Sequence, residues 1–272
     1  MVGSDVEDWQ RFLTGRGLLE DSADGIFGPL TAQATKDYQS GAGLDPDGVV
    51  GPGTLAQAVR DGFVSSTRAV EAGMDADVNC TSFASCVVTA GMKFVVRYYS
   101  RSASKAMGVA EAKALSAAGL KLAVVYQDRQ NIIDDFSSEK GAGSAQRALD
   151  QAAAIGQPEG SAIYFAADFD PPSADVRGSI AEYFLAVNRA FSTALVRYAI
   201  GIYGSGLTCR VLRDASLAQF AWLSGSTGFR ESKTFRPRAH LVQVAPERKI
   251  CDGKLEIDDD IAQVADYGAF RL

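Results

Sequence analysis

Histidine is nearly absent from this 272-residue chain: His240 is the only one. Zinc amidases and HExxH peptidases draw several ligands from imidazoles, so a metal-hydrolase centre of that kind is excluded. A Ser-His-Asp or Cys-His hydrolase would have to run through His240, which opens the apolar segment 240–244 and reads as a structural residue at a strand start. Cysteine is sparse as well, with Cys80, Cys86, Cys209 and Cys251 and no CxxC pair. The even count permits two disulfides, and neither a metal site nor a cofactor is implied. No apolar run approaches the roughly eighteen residues of a membrane span, so no membrane insertion is expected. There is no basic excess either: the net charge of −6 gives no ground for nucleic acid or an anionic membrane as partner. The opening MVGSDVEDWQ has no basic region and no hydrophobic stretch, so synthesis in the cytoplasm without a signal peptide is expected. What remains, 47% hydrophobic and 22% charged, is a soluble globular profile, with room for one barrel or a barrel plus a small module.

The first sixty or so residues carry an internal repeat. Asp24-Gly25-Ile26-Phe27-Gly28-Pro29-Leu30-Thr31 recurs as Asp47-Gly48-Val49-Val50-Gly51-Pro52-Gly53-Thr54. Each copy has a glycine turn, a short apolar pair, a Gly-Pro stop and a threonine opening a helix. Val6, Trp9, Gln10, Phe12 and Leu13 lie near helical spacing behind Ser4-Asp5, an expected N-cap. Another helix is expected from Thr31 to Tyr38. The pattern resembles the three-helix peptidoglycan-binding domain, whose signature is a DGxxGxxT turn, a helix and a second such turn. The resemblance implies binding of cell-wall glycan–peptide strands, although the repeated Gly, Pro and Thr can equally serve only to build turns and caps. This module is assigned to residues 1–62, with a linker over 63–70.

From there strands and helices alternate at βαβ spacing. Strands are expected at Arg68–Met74, Lys93–Tyr99, Leu120–Tyr126, around Ile163–Ala167 and at Tyr198–Tyr203, with helices near 109–118, 144–155 and 174–195. Beyond Tyr203 the helical signal weakens, and the strands expected at 219–223, 241–244 and 257–264 are poorly covered. No glycine-rich phosphate turn follows any strand. The fold class expected for 71–272 is therefore α/β, a TIM-like (β/α) barrel preceded by a small all-α module.

The fourth strand, Ile163-Tyr-Phe-Ala-Ala167, leads into Asp168 and Asp170, and Pro171 and Pro172 then stop it. Two residues apart on a strand, the pair leaves on one side with Cα atoms roughly 6.6 Å apart. They can cap the next helix, or they can be paired carboxylates at the active face of a barrel. Other strand ends add Asp75, Asp77, Tyr99, Tyr126, Tyr203, Trp222, Gln243, Asp258 and Asp260, an acidic cleft with aromatic walls suited to sugar rings.

Gly73-Met-Asp75, Asp168-Phe-Asp170, Gln243 and Ile257-Asp-Asp-Asp-Ile261 together resemble the glycoside hydrolase family 25 lysozymes. The closer resemblance, over roughly 70–272, is to a glycoside-hydrolase-like barrel family of unknown function. The lysozymes carry a glutamate, their proton donor, where this chain has Asp170. The carry-over implies Asp170 as general acid, Asp168 as stabiliser of the oxocarbenium-like charge or holder of the substrate N-acetyl group, and Asp75 as the group that raises the acid's pKa or holds the sugar. Asp77, Tyr99, Tyr126, Tyr203, Trp222, Gln243, Asp258 and Asp260 are assigned to substrate binding. The function expected is that of a monomeric peptidoglycan glycosidase cutting the β-1,4 bond, a muramidase of the endolysin or antibacterial-effector kind. It would reach the envelope by phage lysis or a secretion system. A catalytically silent glycan-binding protein is the alternative, and a peptidase using Cys80 or Cys86 with His240 a third. Disulfides among the four cysteines are expected to staple loops at the active face.

Overall fold

The computed structural model describes residues 2–20, 22–63, 65 and 70–272. Three helices come first: α1 (Ser4–Gly15), α2 (Pro29–Gly41) and α3 (Pro52–Arg60). Gly3, not Ser4 or Asp5, stands at the N-cap of α1, while Pro29 and Pro52 begin α2 and α3, where a missing N–H costs nothing. The two repeated turns are held by one device used twice. Gln10 accepts from the Gly25 N–H (2.9 Å) and donates to Asp24 (2.8 Å) and Thr31 (3.1 Å). Gln39 accepts from the Gly48 N–H (2.8 Å) and donates to Asp47 (2.8 Å) and Thr54 (3.0 Å). Gly25 and Gly48 sit at φ 72° and 77°, the left-handed region that glycine enters without strain. The repeated residues are thus occupied in building turns. Trp9, Leu13 and Tyr38 form the module's core, and Phe63, the first residue of the expected linker, packs into it against Trp9 and Phe12. The rest of that linker falls largely outside the described residues, as do Arg68 and Ala69 at the expected start of the first strand.

Eight strands follow: β1 (Glu71–Asp75), β2 (Phe94–Tyr99), β3 (Lys121–Tyr126), β4 (Ala162–Ala167), β5 (Ala199–Gly204), β6 (Phe220–Leu223), β7 (Leu241–Ile250) and β8 (Leu255–Ala262). They close into a barrel in sequence order. Strands β1 to β7 are mutually parallel, but β8 is antiparallel to both of its neighbours. The α-helices between them are α4 (Ala84–Thr89), α5 (Val109–Ala117), α6 (Ser138–Ile155), the pair α7 (Ser173–Asp175) and α8 (Ala181–Thr193), α9 (Gly206–Asp214) and the single turn α10 (Ser232–Phe235). The expected unbroken helix over 174–195 is interrupted between α7 and α8 by a π-helical turn with Gly178 at φ −94°, ψ −110°. Helix α9, where little helix was expected, is capped by Ser205, whose side chain accepts from the Thr208 N–H.

Alternation along each strand sorts the side chains into two cores. Outward ones pack under the helices, and inward ones such as Phe94, Val96, Val125, Tyr164 and Trp222 fill the barrel. Gly73 is glycine because of this filling: a Cβ there would lie 2.4 Å from the ring of Phe94. The lower barrel is therefore a packed core, which confines any ligand to the end where β1 to β7 terminate. Helix α3 of the N-terminal module lies against β7 and β8, with Ala56 packed on Val244 and Ile261.

Candidate active site

The C-terminal ends of the parallel strands enclose a cleft of about 680 Å³. Its acidic groups are Asp75 from β1, Asp77 just beyond it, Asp168 after β4, Glu247 from β7, and Glu256 and Asp258 from β8. Asp75 and Asp258 are register partners across the antiparallel β1–β8 pair, and Asp260 is opposite Gly73 one step deeper. Gln243 ties the cluster together. Its Nε2 donates to Asp75 Oδ2 (2.8 Å) and Asp258 Oδ2 (3.1 Å), while its Oε1 accepts from the Tyr203 hydroxyl (2.8 Å) and the Gly225 N–H (3.1 Å). The Tyr98 hydroxyl donates to Asp75 Oδ1 (2.9 Å).

Three of these carboxyls resist ionisation. Burial, only partly offset by Gln243 and Tyr98, pushes Asp75 up to about 6. Burial and then the neighbouring Asp75 push half-buried Asp258 up to about 7. Asp260 is fully buried and its carboxyl is raised well above the usual range by burial and by Asp75. Its Oδ1 accepts from the Trp222 indole N–H (2.8 Å) and its Oδ2 has no other partner outside the acid cluster. Across the cleft, solvent-exposed Asp168 accepts from Gln127 Nε2 (3.1 Å), and Gln127 Oε1 accepts from Lys105 Nζ (3.0 Å). Lys105 lies 4.0 Å over the Tyr98 ring, a cation held on an aromatic face. The loops carrying Asp77 and Lys105 are anchored from outside by a fully buried pair. Arg97 Nε donates to Glu111 Oε1 (2.7 Å), the Arg97 guanidinium also reaches the carbonyls of Ala76 and Lys105, and Glu111 accepts from the Cys80 N–H (2.7 Å).

Asp75, Asp77, Asp168, Tyr203, Trp222, Gln243 and Asp258 from the sequence-based set all border this cleft. Four others do not. Tyr99 and Tyr126 point outward, because the inward phase of their strands ends on Tyr98 and Gln127. The Tyr99 hydroxyl donates to Gln157 (2.8 Å), and Tyr126 is held by Asp128 and Arg147 under the helices. Asp260 lies beneath the cleft floor. Asp170, expected as the general acid, is turned aside into an ion pair: its Oδ2 lies 2.7 Å from the Arg230 guanidinium, and its Oδ1 accepts from the Arg230 N–H (2.9 Å). The strand ends before Asp170, so alternation no longer governs its direction. Missed in the sequence were Lys105, which comes from a loop without periodicity, and Glu247, Lys254 and Glu256, which come from the long β7–β8 hairpin.

Cys86 and Cys251 form the disulfide, while Cys80 and Cys209 are free and buried. The bridge ties α4, after β1, to the tip of the hairpin that walls the cleft. Burial pushes the Cys80 thiol up to about 11. His240 sits at the opposite end of the barrel, accepting from the Ala221 N–H and meeting the Phe220 ring edge-on, with burial pushing it down to about 4. The Cys–His peptidase is thereby removed on geometry.

Comparison with known proteins fits this geometry. A family model described as "Rv2525c-like, glycoside hydrolase-like domain" matches residues 85–262, and one for a peptidoglycan binding domain matches residues 2–57. Two uncharacterized Bacillus subtilis proteins are similar. YbfG is 28% identical over 82% of this chain and 32% of its own length, and FadG is 27% identical over 90% and 44%. The chain thus spans less than half of either. The structure of the Tat-secreted protein Rv2525c of Mycobacterium tuberculosis, in complex with L-tartrate, shares the fold. Its TM-score is 0.62 at 24% identity, covering 73% of this chain and 98% of that one.

Proposed function

The chain belongs to the family of Rv2525c-like, glycoside hydrolase-like domains, and from that premise we propose that it hydrolyses the β-1,4-linked glycan of peptidoglycan. In this reading a wall-binding module over 1–62 is followed, after a linker, by a catalytic barrel from residue 71. The observation that carries it is Asp258: a half-buried carboxyl facing the cleft, pushed up to about 7, with the carboxylate of Asp168 on another wall. Hydrolysis of a glycosidic bond needs an acid that keeps its proton near neutral pH and a second carboxylate that acts on the sugar. Asp258 takes the first role in place of Asp170 and protonates the leaving oxygen. Asp168 takes the second, as base or as support for the oxocarbenium-like charge. Asp75 raises the acid's pKa, Gln243 fixes both carboxyls, and half-buried Tyr98 offers its ring to a sugar above the buried Tyr203 and Trp222. The protein acts in the envelope, where a disulfide persists.

A silent glycan-binding protein is the second reading, favoured by the Arg230 pairing that occupies Asp170, where the lysozymes carry their proton donor. Digestion of purified peptidoglycan by the native chain, Asp258→Asn and Asp170→Asn, with fragments read by mass spectrometry, separates the two. New reducing ends from the native chain and Asp170→Asn, but not from Asp258→Asn, are expected. Cosedimentation with the wall and no fragments from any of the three refutes hydrolysis and leaves the binder.

A further inference from the structure

Strands β7 and β8 are antiparallel and joined by a hairpin turn, so no crossover helix lies between them to cover their outer face. Helix α3 takes that place. Ala56 packs on Val244 and Ile261, with Leu55 and Val70 at the margin. At the end of α3, Arg60 Nη1 donates to Asp259 Oδ1 at 2.9 Å, with both side chains more than nine-tenths buried. Arg248 of β7 completes the pairing, Nε to Oδ2 at 2.6 Å and Nη2 to Oδ1 at 2.8 Å. Asp259 stands between Asp258 and Asp260 on β8, and alternation turns its side chain outward while theirs turn to the barrel interior.

We propose that Arg60 is a positioning residue for the cleft: by gripping Asp259 from outside, it fixes β8 and so sets where Asp258 and Asp260 stand. The N-terminal module is then a wall of the barrel as well as a glycan-binding unit. This rests on the reading of the cleft as a glycosidase site. Small displacements matter there, since an ångström of misplacement costs on the order of a hundredfold in rate. Asp258 is especially sensitive, because it is faced by Asp75 from β1, Asp168 beyond β4 and Glu247 of β7, with Asp259 alongside and Gln243 as its donor. Removing Arg60 leaves Asp259 paired with Arg248, so no buried charge is stranded.

The test uses the full chain with Arg60→Met and Arg60→Lys and three readouts. These are cosedimentation with insoluble peptidoglycan, turnover of a soluble chromogenic N-acetylglucosamine oligosaccharide, and fluorine NMR of protein labelled with 5-fluorotryptophan. The chain has two tryptophans, so Trp9→Phe assigns the signal of Trp222, whose indole N–H donates to Asp260. Arg60→Met is expected to sediment like the native chain and lose turnover roughly ten- to a hundredfold. It is also expected to move the pH midpoint of the Trp222 signal by about half a unit or more. Arg60→Lys, which keeps a donor and the charge, is expected to recover most of both. Unchanged turnover and an unchanged midpoint in Arg60→Met overturn the proposal and leave the module a targeting device only. If the native chain turns over nothing, the glycosidase reading fails, and the Trp222 midpoint alone decides the role of Arg60. If Arg60→Met does not fold, Arg60→Lys and Arg60→Gln decide by the same readouts.

Discussion

Replacing Asp258 by asparagine separates stability from turnover in opposite directions. The folded carboxyl titrates at about 7, against about 3.9 in an unfolded chain. A raised pKa means the folded state holds the proton more tightly. The group's contribution to stability is therefore full below about pH 4 and is lost as pH rises through about 7. Three units correspond to about 4 kcal/mol if unscreened, and because the side chain is only half-buried, about 2 kcal/mol is the more realistic penalty at pH 8. Asparagine keeps an acceptor for Gln243 and carries no charge, so it escapes that penalty. Asp258→Asn should melt about 4–8 °C above the native chain at pH 8 and show no such gain at pH 4. Turnover should fall about 10²- to 10⁴-fold, the usual worth of a general acid. The native rate should decline above about pH 7 as the acid loses its proton, and the variant's residual rate should lack that limb. Calorimetry at the two pH values and a pH–rate profile on soluble glycan make the check. A variant with native turnover, or one whose stability gain is the same at both pH values, refutes the assignment.

Asp170→Asn breaks a surface pair with Arg230 that is worth at most about 1 kcal/mol, and it should leave turnover within about twofold. A loss matching that of Asp258→Asn would return the acid's role to Asp170. Gly73→Ala drives a Cβ to 2.4 Å from the Phe94 ring and should cost about 1–3 kcal/mol, read from chemical denaturation. Cys86→Ser removes the only disulfide among the described residues and should cost about 2–5 kcal/mol. The native chain should show the same loss when melted with a thiol reductant, and the variant should be indifferent to it.

The barrel was legible because its strands are short apolar runs with aromatic and β-branched members, and because their spacing leaves room for helices. The inner face of the site was half legible. Their place at strand ends put Asp75, Gln243 and Asp258 at one end of the barrel, where the structure has them, but adjacent tyrosines in Tyr98-Tyr99 gave no sign of phase. Only the fully buried Arg97, facing out to Glu111, settles it. The direction of Asp170 lay beyond any periodic pattern, since it follows the strand and answers to Arg230, sixty residues away. The reversal of β8 was hidden for a similar reason: an eight-residue strand reads the same in either direction, and the turn before it is four residues long.

The disulfide carries a consequence for how the molecule comes into being. Cys86 and Cys251 are separated by 165 residues, with six of the eight strands lying wholly between them. During vectorial synthesis Cys86 meets Cys209 long before its true partner exists, and Cys80 is available from the start. The correct bond therefore presupposes that the barrel has already closed and drawn Cys80 and Cys209 out of reach. In this chain oxidation seals a finished fold; it does not guide an unfinished one. A cell that made the protein would do best to keep its thiols reduced until the last hairpin had been laid down.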